Sequence, residues 1–205
     1  RGIDIHNNDI SECSDDGIEL DYSESNCRAF GNRITNAQMG ISFQPSRGGP
    51  NYAVRNVLVN IGLEAFKLHL TPAREGHMTS GGVILHNTIV KKGTPLVVWS
   101  NEGPARHFLS RNNLFVTSGA GTAIEITCPM EDADLDYDVF ANDAAMRNFA
   151  WWNKVRYATL EDFSAKTGQE SHGLVVKSVE GIFAGRLSPP ASAPAQMAPA
   201  QADAR

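Results

Sequence analysis

The chain has 205 residues, of which 41% are hydrophobic and 20% charged, and its formal net charge is −5. This composition predicts one globular unit, and an acidic chain without a basic stripe is not expected to bind nucleic acid. No apolar run approaches the roughly 18 residues that a membrane span needs. The three cysteines, Cys13, Cys27 and Cys128, leave the disulfide state open.

A polar residue recurs along the first two thirds of the chain, each time two positions before an apolar one. The intervals are 24, 24, 31, 25 and 26 residues, and self-similarity at a period of about 20 to 50 residues indicates a solenoid. At tight turns these asparagines are expected to adopt left-handed backbone angles and to stack as amide ladders. The pairs are Asn8 with Ile10, Asn32 with Ile34, Asn56 with Leu58, Asn87 with Ile89, Asn112 with Leu114 and, as a degenerate copy, Asp138 with Phe140.

A short alternating segment follows each of the first five asparagines at a nearly constant offset. Alternation with a period of two predicts strands with one buried and one wet face. The predicted inward pairs are Ile18 and Leu20, Ile41 and Phe43, Phe66 and Leu68, Leu96 and Val98, and Ile124 and Ile126. One outward column is then Glu19, Ser42, Lys67, Val97 and Glu125. The other is Asp21, Gln44, His69, Trp99 and Thr127.

A third set of strands precedes the asparagines, as in residues 3–6 and 83–86, and residues 1–140 lack helical periodicity. The repeat, with its turn–strand unit at residues 14–20, resembles that of the pectin-lyase-like right-handed parallel β-helix proteins. The segments 135–140, 151–152, 157–163 and 167–172 resemble the way many such proteins close their C-terminal end. The resemblance covers residues 1 to about 184. It implies an all-β, right-handed parallel β-helix of about five to six coils, secreted or at the cell surface or in the periplasm, and active on polysaccharides.

The chain divides into three predicted regions. Residues 1–140 form the coils, residues 141–184 form a C-terminal cap, and the Ala- and Pro-rich residues 185–205 form a disordered tail. Thr159 with Asp162 and then Gly168 predicts a short capped helix, which is expected to plug the last coil together with Trp151 and Trp152. Because Arg1 lies in mid-repeat, we expect further N-terminal coils and a signal region, or an oligomeric partner that covers the open end.

In this architecture a polysaccharide is expected to lie along the outer face of one sheet, where the two outward columns stack. Arginine suits carboxylate groups, and long loops on a rigid scaffold often carry binding residues. The predicted catalytic residues are His69, Lys67 and Arg74. The predicted substrate-binding residues are Asp21, Gln44, Arg47, His77, Trp99, Glu102 and Arg106.

The first predicted mechanism is β-elimination on an acidic, uronate-containing polysaccharide. Lys67 or His69 is the candidate base, although Lys67 would need a lowered pKa, and Arg74 or Arg47 would neutralise the uronate. Glu19 and Asp21 offer hard oxygen ligands for a Ca²⁺ cofactor.

Two alternatives remain open from the sequence. Asp15 and Asp16 stand where polygalacturonase-like enzymes carry an aspartate pair, which predicts a glycoside hydrolase. Residues 37–40 depart from the Gly-His-Gly turn of those enzymes, and the later Arg-x-Lys strand is matched only in Lys67. The other alternative is a non-catalytic, carbohydrate-binding or adhesin-like scaffold.

Overall fold

The computed structural model describes residues 2–23, 25–44, 46, 48–68, 80–98, 104–180 and 182. It is an all-β, parallel solenoid of about five turns with one short helix near the C-terminus, which confirms the predicted fold class. None of its described helices has the length and apolarity needed to cross a membrane. The strands are β1 (Asp4–His6), β2 (Asp9–Glu19), β3 (Arg28–Phe30), β4 (Arg33–Ser42), β5 (Asn51–Val54), β6 (Val57–Val59), β7 (Phe66–Lys67), β8 (Gly82–Leu85), β9 (Thr88–Lys92), β10 (Leu96–Val98), β11 (Ala105–Arg106), β12 (Leu109–Arg111), β13 (Leu114–Ser118), β14 (Ile124–Ile126), β15 (Met130–Glu131), β16 (Asp134–Asp136), β17 (Val139–Asn142), β18 (Ala150–Trp152), β19 (Val155–Tyr157) and β20 (Leu174–Val176), and the helix is α1 (Leu160–Thr167).

The strands form three long sheets because each coil contributes one strand to each wall. Sheet I contains β1, β3, β5, β8, β12 and β16 in that order, and sheet II contains β2, β4, β6, β9, β13, β17 and β20. Sheet III contains β10, β14, β18 and β19, and β11 pairs with β15 at a corner. Strands in sheets I and II are parallel, so equivalent residues of successive coils are direct neighbours.

Strands β2 and β4 turn the corner from sheet II towards sheet III without a break. Their first residues pair in sheet II, whereas their last residues lead to β7, where Ser42 pairs with Lys67. The bend depends on Gly40, because a Cβ atom there would collide with the Ala65 carbonyl oxygen and the Leu58 side chain. Strand β7 contacts β10, so the outer face of sheet III extends back to the end of β2.

The core consists of aliphatic and aromatic side chains stacked along the tube. Every predicted inward residue is buried, from Ile18, at 5% exposure, to Ile126, at 0%. The stack continues beyond the predicted strands as Phe115 over Phe140, whose ring centroids are 5.2 Å apart. Burial of this apolar surface supplies the main stabilising free energy of the solenoid.

An asparagine ladder runs along the corner between sheets I and II, as predicted. Asn56 is fully buried. Its Oδ1 accepts from the backbone N–H and the side-chain amide of Asn32, and its own amide donates to Asn87 Oδ1 and to the Ala29 carbonyl. These bonds pair polar groups that would otherwise be buried without partners.

Two details of the predicted ladder are wrong. The fifth member is Asn113 and not Asn112, since Asn113 Oδ1 accepts from the backbone and side-chain amides of Asn87. The left-handed backbone angle also falls on the residue before each ladder member, for example on Arg55, with φ 53°, and on Asn112, with φ 57°. The side chain of the preceding residue points outward, so its type varies, whereas the buried ladder position needs an amide or carboxylate.

A buried lysine fixes a second corner of the solenoid. Lys91 is 7% exposed, and its Nζ donates to the carbonyls of Lys92 and Thr94 in the turn that leads to sheet III. Burial lowers the pKa of Lys91 to about 8, although the charge of Glu64 opposes this shift. The contacts of Lys91 are those of a turn-stabilising residue.

The C-terminal segment closes the last coil. Thr159 caps α1 through its side chain, and Gly168 ends the helix with φ 74°, as predicted. Phe163 is fully buried and packs edge-on against Trp152. The prediction that both tryptophans plug the coil is correct for Trp152 but wrong for Trp151, which faces the outer side of sheet III in register with Glu125.

Candidate functional site

The first predicted outward column is in register, but Ser42 and Val97 in it are buried, at 0% and 7% exposure, so only part of it faces solvent. Glu19 pairs with Ser42 and Ser42 with Lys67, while Val97 pairs with Glu125 on the strands of sheet III. Because strand neighbours are separated by about 4.8 Å, these side chains share one wall of the solenoid. The register also adds Trp151 after Glu125, a continuation that the sequence did not predict.

An irregularity in β2 positions the acidic end of this column. Between Cys13 and Asp16, β2 advances by three residues while β4 advances by two, from Ala37 to Met39. This extra residue is a β-bulge, which breaks the alternation and changes the direction of nearby side chains. As a result Asp15 and Asp16 come close to Glu19, although strict alternation would place neighbouring residues on opposite faces.

Three carboxylates meet at the bulge beside one lysine. One oxygen from each of Asp15, Asp16 and Glu19 lies within 4.8 Å of the others. Lys67 Nζ donates to Asp16 Oδ2 at 2.8 Å, and the two side chains are 16% and 1% exposed, respectively. We call these four residues the acidic cluster. Asp15 and Glu19 are exposed, so a ligand can reach the cluster from solvent.

The acidic cluster shifts the pKa values of its members. Burial raises the pKa of Asp16 above the usual aspartate value, although the hydrogen bond and charge of Lys67 oppose the rise. The charge of Asp21, together with some burial, raises the pKa of Glu19. Burial alone would lower the pKa of Lys67, but the hydrogen bond and charge of Asp16 prevail and raise it. Lys67 is therefore cationic at neutral pH.

One oxygen of the acidic cluster has no partner. Asp16 Oδ1 is buried and accepts no hydrogen bond. Buried carboxylate oxygens are normally satisfied by a donor, a water molecule or a cation. A water molecule or a cation can therefore complete the interactions of Asp16 Oδ1.

Asp21 and Gln44, predicted to bind substrate, lie beside the acidic cluster and interact with each other. Asp21 Oδ1 accepts hydrogen bonds from the Ser42 hydroxyl and from the Gln44 backbone N–H, the latter at 2.9 Å. These bonds tie the carboxylate of Asp21 to the turn after β4. Gln44 Oε1 is buried without a hydrogen-bond donor.

The remaining predicted residues do not all fall in the described part of the chain. Arg106 lies on β11 and pairs with Glu131 at 2.6 Å, and its predicted role in substrate binding stays a prediction. The catalytic candidates His69 and Arg74, together with the binding candidates Arg47, His77, Trp99 and Glu102, lie outside the described residues.

The acidic cluster fits a hard divalent cation. Ca²⁺ binds oxygen ligands at about 2.3–2.6 Å, so two oxygens on one ion lie at most about 5 Å apart. The oxygens of Asp15, Asp16 and Glu19 meet that condition, and Asp16 keeps Oδ1 free while Oδ2 binds Lys67. Of the two predicted Ca²⁺ ligands, Glu19 belongs to this group of three, whereas Asp21 lies outside it.

The sequence did not predict that Asp15, Asp16 and Glu19 lie together. The Asp15–Asp16 pair itself was a visible signal, but the bulge that brings it to Glu19 has no sequence signature. Comparison with protein-family models, curated proteins and solved structures gives no match. Residue roles at the acidic cluster therefore depend on the geometry of this chain.

Proposed function

We propose that this protein is a pectin-lyase-like β-helix enzyme that cleaves an acidic, uronate-containing polysaccharide by β-elimination. The substrate lies along the outer face of sheet III and its extension to β2. The observation that carries the proposal is the acidic cluster, in which three carboxylates and Lys67 surround the unpaired Asp16 Oδ1. Because polysaccharides of this kind lie outside cells, we propose a secreted, cell-surface or periplasmic location.

A uronate polymer can bind at the acidic cluster only when a cation neutralises the cluster's negative charge. Asp15, Asp16, Glu19 and Asp21 carry more negative charge than Lys67 can neutralise, so the bare site repels a polyanion. When bound by Asp15, Asp16 and Glu19, Ca²⁺ supplies positive charge that attracts the uronate carboxylate and stabilises the charge that develops in elimination.

Lys67 is assigned to charge stabilisation in this proposal. Its raised pKa keeps it protonated, so it is a poor base while Asp16 is its partner. The protonated ammonium is well suited to stabilise negative charge on the substrate carboxylate as the adjacent proton leaves. His69, which lies outside the described residues, stays the predicted base.

A glycoside hydrolase is the second candidate function. The raised pKa of Asp16 suits a general acid, and an Asp15 oxygen lies within 4.8 Å of an Asp16 oxygen. That separation is shorter than the roughly 6.5–9.5 Å of inverting enzymes and closer to the roughly 5–5.5 Å of retaining ones. The hydrolase would therefore retain anomeric configuration.

The two functions differ in their products. The purified protein is incubated with pectate, alginate and glycosaminoglycans, with Ca²⁺ or with a chelator. Ultraviolet absorbance detects the unsaturated sugar of a lyase, and a reducing-end assay detects either cleavage. We expect Ca²⁺-dependent absorbance on one polymer, and Asp16→Asn and Lys67→Met to reduce it by about 100-fold or more.

Matched surface variants control for loss of charge. Asp9→Asn and Lys92→Met change exposed residues away from the acidic cluster and should keep full turnover. Reducing ends without absorbance would establish the hydrolase instead. Binding without any cleavage would establish the non-catalytic scaffold.

A further inference from the structure

A polar pocket lies at the end of the outer face of sheet III that is remote from the acidic cluster. It has a volume of about 240 Å³ and is lined by Trp151, Arg156, Arg147, Glu125, Asn148 and Thr122, among others. We call it the arginine pocket. None of these residues was among the predicted substrate-binding residues, although Glu125 belongs to the predicted outward column, and Trp151, which the sequence placed in the cap, was also considered as a surface for a sugar ring.

Trp151 and Arg156 are held together by an antiparallel strand pair. Trp151 lies opposite Arg156 in the register of β18 and β19, and the guanidinium carbon is 4.4 Å from the ring centroid. A cation stacked on an indole keeps its N–H groups free in the plane of the guanidinium. The Trp151 N–H itself is buried without an acceptor. Arg156 is thus oriented before any ligand binds.

Arg147 reaches the arginine pocket from the loop before β18. Its backbone N–H donates to the Gly121 carbonyl at 2.9 Å, and that of Asn148 donates to the same carbonyl. These bonds fix the backbone of the loop against the preceding coil, and the Arg147 side chain lines the same pocket as Arg156. Both guanidinium side chains belong to exposed residues.

The two arginines lack acidic partners among the described residues. Elsewhere in the solenoid, Arg28, Arg33, Arg106 and Arg111 each pair with a carboxylate of a neighbouring coil. Arg147 and Arg156 make no such ion pair within the described ranges, although Glu125 lines the same pocket. Two unpaired guanidinium groups beside a stacked indole form a site for a carboxylate-bearing ligand.

We propose that the arginine pocket is a uronate-binding subsite for the polysaccharide whose reacting unit lies at the acidic cluster. Val97, Glu125 and Trp151 are paired neighbours on β10, β14 and β18, and β7, which carries Lys67, contacts β10. At the strand spacing of about 4.8 Å, Trp151 and Lys67 are roughly 14 Å apart, a reach of about three sugar rings. Val97 lies between them and is 7% exposed. This inference rests on the proposed function for its substrate class, and it adds the recognition of a carboxylate remote from the reacting centre.

Binding measured without catalysis tests the arginine pocket. Isothermal titration in a chelator, with a galacturonate disaccharide too short to reach the acidic cluster and with its carboxyl-reduced, neutral counterpart, compares the wild-type chain with Arg147→Gln/Arg156→Gln. We expect the wild type to prefer the uronate form and the double variant to lose affinity by roughly tenfold or more. The neutral form should bind both proteins equally weakly.

A second double variant separates a specific subsite from general charge attraction. Arg28→Gln/Arg33→Gln removes the same charge from other faces and should leave affinity within about twofold of wild type. Equal losses in the two double variants, or no preference for the uronate form, would overturn the subsite. Asp16→Asn should keep this binding while losing turnover. If the wild-type protein binds the uronate form but cleaves no polymer, the proposed function is wrong and the subsite still stands.

Discussion

Asn56 shows how one amide stabilises three coils at once. It accepts two hydrogen bonds from Asn32 and gives three, through its backbone N–H and side-chain amide, to Asn87 and Ala29. Removing the side chain leaves buried donors and an acceptor without partners, and each such group costs about 1–3 kcal/mol. We expect Asn56→Gly to lower the free energy of unfolding by about 3 kcal/mol or more, as measured by urea denaturation.

Asn60 offers a matched control in the same coil. It has φ 55°, is exposed, and donates from its amide to Asn36 Oδ1 in a ladder on the solvent side. Because glycine adopts a positive φ without strain and water can replace the lost bond, Asn60→Gly should change stability by less than about 1 kcal/mol. Equal losses in the two variants would show that the buried ladder contributes no more than the exposed one.

The segment between α1 and β20 holds the cap on the last coil. Gln169 bonds the Leu135 N–H and the Ala133 carbonyl through its side chain, and the backbone N–H of Glu170 donates to the Leu135 carbonyl. His172 Nδ1 lies 2.8 Å from Asp136 Oδ2. Burial alone would raise the pKa of Asp136, but hydrogen bonds from His172 prevail and lower it. The segment therefore covers the free edge of sheet I much as an added strand would.

Glu170 makes the stability of this segment depend on pH. It is 1% exposed and lies against Asp138, the last member of the asparagine ladder, whose N–H donates to Glu170 Oε2. Burial and the charge of Asp138 raise the pKa of Glu170 to about 9, from 4.5. Asp138, whose own pKa burial also raises, and Asp136 are the acids that face it. The folded protein therefore holds a proton that the unfolded chain releases, and stability falls as pH rises from about 4.5 to about 9.

Glu170→Gln keeps the neutral form at every pH. We expect this variant to be more stable than wild type at about pH 8 and to lose most of the decline across that window, in urea denaturation at several pH values. The exposed Glu180→Gln is the comparison, and its pH dependence should follow wild type. A Glu170→Gln curve parallel to wild type would mean that Glu170 is ionised in the folded state.

The solenoid follows from two periods in the sequence, and these were enough to predict its core and one wall. The repeat length stacks the coils, and the alternation within strands selects which side chains meet, so Glu19, Ser42 and Lys67 line up as predicted. The prediction was wrong by one residue where two identical residues are adjacent. Asn112 and Asn113 each precede an apolar residue by two positions, so both fit the repeat. For Trp151 and Trp152, no ladder residue precedes them to indicate which one faces inward.

The acidic cluster could be predicted only in part from the sequence. Its residues were candidates, but Lys67 and Asp16 are 51 positions apart and meet through a bulge that adds one residue to β2. A bulge changes the direction of a strand and its side chains without altering the amino-acid composition, so sequence periodicity cannot locate it. The roles of Arg147 and Arg156 were equally hidden, because an unpaired arginine differs from a paired one only in its neighbours.

The C-terminal end of the solenoid is covered on all three sheets. β19 closes sheet III as an antiparallel strand, β20 extends sheet II, and the segment after α1 covers sheet I. Phe163 fills the end of the core against Phe149, Trp152 and Tyr157. If Phe163 is replaced by aspartate, a buried charge replaces the aromatic contact and α1 should undock. The exposed core and strand edges then become surfaces for other chains.

We therefore expect Phe163→Asp to form concentration-dependent oligomers or aggregates, as measured by sedimentation velocity, and to unfold at a lower urea concentration than wild type. Ala165→Asp adds the same charge to the exposed side of α1 and should sediment as wild type does. Since three sheets end at this cap, local undocking exposes more edge than loss of one strand would, and association should accompany the loss of stability. A destabilised variant that still sediments as wild type would show that β19 and β20 protect the end without the helix.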